Sequence, residues 1–181
     1  MGGSTGIRIL IAVGLATALV GVRGVGPAAV AACYVAAVTA PLIVADAREQ
    51  RLPNALVLPG YAFAAVGLVW EALARGSPGV ERGGLAAVTV IGCAGGVFAV
   101  LAMMSRAGAL GMGDAKLAGL LALAIGPALP LVVWLSSAFT AAAMHTAMEL
   151  AVLGRNRDPV RREVAFGPAL LASFWVTVLT I

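Results

Sequence analysis

The chain has 181 residues, 61% of them hydrophobic and 11% charged, with a mean hydropathy of +1.02. Soluble domains average about 45–50% apolar and about 25% charged residues, so composition excludes a water-soluble globule and indicates a polytopic membrane protein. The formal charge of +4 does not point to a nucleic-acid partner, because the basic residues are spread along the chain as membrane topology spreads them.

A spanning helix needs about 20 mainly apolar residues, and seven candidates follow in order. The first covers about Ile7 to Val22 and the second about Val25 to Ala45, with Arg23 and Gly24 between them. A signal-peptide reading of the first is set aside, because another span follows it in place of a polar mature segment. Asp46 marks the end of the second span, and Ala47 to Pro53 form a charged loop. The third span covers about Asn54 to Ala74, with Pro59 and Gly60 in its first turns, and the turn-rich stretch Arg75 to Gly83 leads to the fourth, about Gly84 to Met104. Gly92 and Gly96 have the GxxxG spacing that permits close helix contact. A polar island from Ser105 to Lys116 precedes the apolar run Leu117 to Leu153, which is too long for one crossing. Gly126, Pro127 and Pro130 divide it into a short fifth helix and a sixth. Gly154 to Ala165 is the most charged loop, and Phe166 to Ile181 forms the seventh span. The expectation is one all-α integral-membrane domain over residues 1–181, a bundle of about seven transmembrane helices. Within it, residues 7–22 are an extra N-terminal helix and 25–181 the core.

Lys and Arg counts on alternate sides test this map. Arg8, Arg48, Arg51, Arg106, Lys116, Arg155, Arg157, Arg161 and Arg162 fall on one side, and Arg23, Arg75 and Arg82 on the other. That bias places the N-terminus in the cytoplasm, and it puts Asp46 and Asp114 on the same, cytoplasmic, face.

These two acids are the candidate catalytic residues. Two carboxylates sharing a site cannot both ionise easily, so the pair holds one proton. The ionised member can take a proton from water while the other hydrogen-bonds a peptide carbonyl, chemistry that needs no metal, nucleophilic side chain or cofactor. Gly111 and Gly113 let the backbone come close to a substrate or to the partner acid. Pro53 and Asn54 start the third helix, which Asn54 can cap through its side-chain oxygen. Structural roles stand beside these: Asp114 as N-cap of the fifth helix, and Asp46 as an ion-pair partner of Arg48 or Arg51.

Taken together, the motifs resemble those of a known family. Asp46, Ala47, Arg48, Glu49, Gln50, Arg51, Leu52, Pro53 and Asn54 are similar to the first-aspartate motif of type IV prepilin peptidases. Gly111 to Leu117 (GMGDAKL) resembles their Gly-x-Gly-Asp motif, and Phe166, Gly167, Pro168, Ala169 and Leu170 resemble their C-terminal Phe-Gly-Pro signature. The resemblance implies an intramembrane aspartyl endopeptidase of a bacterial or archaeal cytoplasmic membrane. Its partners would be the bilayer and a prepilin or pilin-like protein whose basic leader it removes at the cytoplasmic face. It assigns catalysis to Asp46 and Asp114 and supporting roles to Gly111, Gly113, Lys116, Pro53, Asn54, Gly167 and Pro168. The chain lacks the cysteine-bearing insert of the larger, methylating members, so it resembles the short branch that serves tight-adherence pili. Oligomeric state is left open.

Other polar residues have ordinary readings. Cys33 and Cys93 are small buried hydrophobes without metal-ligand spacing. His145 and Glu149 share a helix face as a bracing pair or a proton relay, and Glu71 snorkels or pairs with Arg75. Arg155 to Arg162 form a basic anchor, while Glu49, Asp158 and Glu163 suit contact with a basic leader. Competing functions are a proton-coupled transporter, which acids near the midplane and an internal repeat would favour, an inactive assembly subunit, and a presenilin-like protease. The last is suggested by Pro168, Ala169 and Leu170, but the polar loop after Asp46 favours cleavage at the membrane surface.

Overall fold

The computed structural model describes residues 3–49, 52–74, 80–106, 111–126, 128–153 and 166–180. Among them the chain is all-helical: α1 Gly3–Arg23, α2 Pro27–Glu49, α3 Asn54–Ala74, α4 Val80–Arg106, α5 Met112–Ile125, α6 Ala128–Leu153 and α7 Gly167–Thr180. Arg51, Arg75, Pro127 and the stretch 154–165 lie outside the described residues, as do the side chains of Arg82, His145 and Glu149. The expectations attached to them concern residues that are not described.

Local chemistry sets the helix ends. α1 stops at Gly24, which has φ 74°, and α2 opens on Pro27, where a missing N–H costs nothing. The Pro53 carbonyl accepts the Leu56 and Val57 N–H groups at 2.9 and 3.3 Å and so begins α3. α5 ends at Gly126, φ 90°, whose N–H reaches the Ala122 carbonyl at 3.3 Å. That is the break expected at Gly126.

α5 is the axis of the bundle. From Leu117 to Ile125 its residues are buried, with Leu123 alone partly exposed, and it packs against α2, α3, α4, α6 and α7. A helix that is apolar all round belongs in a core. Its 14 residues reach about 21 Å at 1.5 Å per residue, short of a hydrocarbon layer about 30 Å thick. Among the described residues four helices are long and apolar enough to cross a membrane, in the windows Thr5–Arg23, Ala29–Asp46, Asn54–Glu71 and Ala87–Arg106. Pro130–Met144 and Gly167–Thr180 are shorter apolar stretches.

Two glycines allow α3 and α5 to meet. A Cβ on Gly60 would collide with Leu120, and one on Gly119 would stand 2.7 Å from the Tyr61 hydroxyl and 3.3 Å from Phe98 Cβ. By contrast, a Cβ on Gly92 or Gly96 would meet nothing within 4 Å. Among the described residues the pair makes no close helix contact: it is on an exposed face of α4, and the tight approaches are made elsewhere.

Indole N–H groups tie α7 in place. Trp134 Nε1 donates to the Leu170 carbonyl at 3.2 Å, and Trp175 Nε1 to Thr39 Oγ1 at 3.0 Å. At the far end Arg23 Nε donates to the Val178 carbonyl at 3.1 Å, where the helix dipole favours a cation. Gly119→Val, by driving Tyr61 and Phe98 away, is expected to destabilise the fold by about 1–3 kcal/mol; the unfolding midpoint in detergent measures it.

Candidate active site

Four helix ends gather at one end of the bundle: the C-terminus of α2 and the N-termini of α3, α5 and α7. Asp46 opens the last turn of α2, which runs on to Glu49, so it lies inside the helix rather than just beyond it. Asp46 is only 4% exposed, and among the described residues its Oδ2 has no hydrogen-bond partner. The expected ion pair with Arg48 is not what holds it, since Arg48 is exposed and the carboxylate faces the Gly167 backbone N–H.

Asp114 stands in the first turn of α5. The N-cap is Gly111, in extended conformation (φ −70°, ψ 140°) and with no side-chain cap, so Asp114 occupies the third helical position and is not the cap expected from sequence. From there its carboxylate reaches back to the Gly111 backbone N–H, while the Gly111 carbonyl accepts the Asp114 and Ala115 N–H groups at 3.1 and 3.3 Å. This is the carboxylate half of a capping box. A side chain on Gly111 would stand 3.1 Å from Asp114 Oδ2. Gly113 serves packing: its missing side chain would meet Leu52 Cβ at 3.0 Å and the Leu52 backbone nitrogen at 3.4 Å. The chain leaving α2 is thereby pressed onto the start of α5.

The two acids converge at Gly167, the buried first residue of α7. A Cβ built there lies 2.7 Å from Asp46 Oδ2 and 3.6 Å from Asp114 Oδ1. Both carboxylates thus border one point, although 68 positions separate Asp46 from Asp114 in the sequence. The effect on Asp114 is large: its pKa is pushed up to about 7, first by burial and then by the negative charge of Asp46, against the opposing Gly111 N–H. Below that value such a pair holds a single proton between its members.

Lys116 and Asn54 form a second link between the motifs. Lys116 Nζ donates to Asn54 Oδ1 at 3.0 Å, and the Tyr61 hydroxyl to the Lys116 carbonyl at 2.7 Å. Asn54 therefore uses its side-chain oxygen on Lys116, and the Pro53 carbonyl takes the helix-starting role expected of Asn54. Pro168, the second residue of α7, fits a turn in which N–H groups lack helical partners. Phe166 is buried against Phe139, with ring centroids 5.4 Å apart. Tyr61 and Phe139 were not singled out by sequence; a phenol within an apolar span is the one signal that could have marked Tyr61. Glu49 is exposed at the end of α2, and Glu71 is half-buried near the other end of α3. Among the described residues no group of three or more His, Cys, Asp or Glu is placed to hold a metal ion. Replacing Lys116 by Met removes one partly exposed bond and is expected to lower stability by about 1 kcal/mol, read from the unfolding midpoint in detergent.

Comparison with characterised proteins and with solved structures gives no match. The family model described as the type IV leader peptidase family matches residues 33–145, a stretch that contains Asp46 and Asp114 and stops before Phe166. That match covers well over half of the 181 residues, and the chain, a helical peptidase with apolar helices fit to cross a membrane, belongs to the type IV leader peptidase family.

Proposed function

We propose that this chain is an aspartyl endopeptidase that removes the leader of a prepilin or pilin-like protein at the cytoplasmic face of its membrane, with Asp46 and Asp114 as the catalytic pair. The observation that carries the reading is the approach of both carboxylates to one point beside Gly167.

The chemistry follows from one proton shared by two acids. The ionised carboxylate takes a proton from water as the water oxygen bonds to the scissile carbonyl carbon. The protonated one donates to the carbonyl oxygen, giving a neutral tetrahedral intermediate. Collapse breaks the C–N bond, with a proton delivered to the leaving nitrogen. One water is consumed, one acid and one amine are released, and the pair regains its single proton. The unpartnered Asp46 Oδ2 is free to take part in this exchange.

Position favours a surface reaction over proton transport through the midplane. The acids lie at helix ends, beside the exposed Arg48 and the Lys116–Asn54 link, whereas Arg23 is at the opposite end of α7. Basic residues near the acid pair agree with a cytoplasmic orientation. Any methylation of the product requires another protein, because the chain carries no cysteine-bearing insert.

Asp46→Asn and Asp114→Asn are each expected to lower cleavage of a prepilin by about 10²–10⁴-fold, with the unfolding midpoint retained; mass spectrometry of substrate incubated with the purified chain in detergent reads the loss. Wild-type cleavage by either variant would overturn the assignment. Activity is also expected to fall as pH rises through about 7, the value to which Asp114 is raised, since the shared proton is lost there.

Stability should move in the same sense. A raised folded-state pKa means that the fold binds the proton more tightly than the unfolded chain does. The Asp114 contribution is therefore complete below the ordinary value of 3.8 and is lost as pH climbs to about 7. Unfolding midpoints measured across that range should decline less in Asp114→Asn than in the wild type.

A further inference from the structure

The glycine at position 167 is not required by backbone conformation. Among the described glycines only Gly24 and Gly126 have positive φ, so any residue could adopt the main chain at 167. What forbids a side chain is the acid pair, because a Cβ would stand 2.7 Å from Asp46 Oδ2 and 3.2 Å from its Cγ. Neither neighbour yields easily. Asp46 is almost fully buried, and α7 is held by Trp134 at Leu170, by Trp175 at Thr39 and by Arg23 at Val178.

The same helix end acts electrostatically. Asp46 sits near the C-terminus of α2, where exposed carbonyls disfavour an anion. The N-terminus of α7 faces it with the Gly167 N–H. Pro168 contributes no N–H, and the Leu170 N–H is spent on the Phe166 carbonyl at 3.1 Å. Of the N–H groups of that turn, the one from Gly167 is directed at Asp46.

We propose that Gly167 is a positioning residue of the acid pair: by carrying no side chain it sets the spacing of Asp46 and Asp114 and leaves the buried Asp46 Oδ2 uncrowded. This rests on the function proposed above and adds α7, beyond the family match at residues 33–145, to the working site.

The test compares the full chain in detergent with Gly167→Ala, Gly96→Ala, Asp46→Asn and Asp114→Asn on one prepilin substrate. Gly167→Ala should lose at least about 100-fold in cleavage, the scale of an ångström-sized misplacement, a loss far greater than any fall in its unfolding midpoint accounts for. The alkaline limb of its residual activity should move to lower pH as the acids are pushed apart, in protein that its unfolding midpoint shows to be folded at the assay temperature. Gly96→Ala, whose methyl meets nothing within 4 Å, should cleave like the wild type. Cleavage by Gly167→Ala within about threefold of wild type, with both aspartate variants inactive, overturns this inference and leaves the peptidase reading standing. An active aspartate variant overturns the peptidase reading itself. If Gly167→Ala fails to fold, Asp46→Ala is added to it. Recovery of folding in the double variant supports contact between residue 167 and the carboxylate, and continued unfolding refutes it.

Discussion

Two carboxylates facing each other across the start of one helix are the constraint on which the structure turns. Alone, either acid is an ordinary helix-end residue: Asp114 reaches back to its own N-cap, and Asp46 lies in the last turn of a long apolar helix. Together they are charges of like sign, Asp46 buried and Asp114 partly so, and each needs a donor or a proton to remain there. The N-termini of α5 and α7 supply N–H groups from Gly111 and Gly167, and the shared proton removes the remaining repulsion. Under the proposed function stability and reactivity have one origin, because the proton that relieves burial is also the one the proposed hydrolytic step requires.

The architecture serves that meeting. α5 is too short to span a bilayer and too apolar to face water, so it is enclosed by the other helices, with Asp114 at its open end. The glycines at 60 and 119 bring α3 against it, and Gly113 brings in Leu52. The Lys116–Asn54 bond joins the segment after the first acid to the segment after the second. α7 is fixed by the two indoles, whose N–H groups must find acceptors in an apolar interior.

Glycine has three separate meanings in this chain, and sequence alone does not separate them. Gly24 and Gly126 end helices through positive φ. Gly113, Gly119 and Gly167 permit close approach. Gly92 and Gly96 look like a helix-contact motif yet open onto an exposed face. Spacing along one helix says which residues share a face, and only the neighbouring helices determine whether that face is covered. Asn54 teaches the same lesson: its capping ability is intrinsic, but Lys116 lies close enough to take the oxygen instead.

Hydropathy and turn chemistry act over a few neighbouring residues, so the membrane class, the break at Gly126, the start of α3 at Asn54 and the two polar islands that carry Asp46 and Asp114 are legible in the chain alone. Tertiary structure decided what depends on distant partners. It enclosed α5, assigned the cap to Gly111, and brought Gly167 against both acids. The physical reason is range: an apolar run or a proline acts on its own turn, whereas a burial, a shared proton or a forbidden methyl exists only once remote segments have packed together.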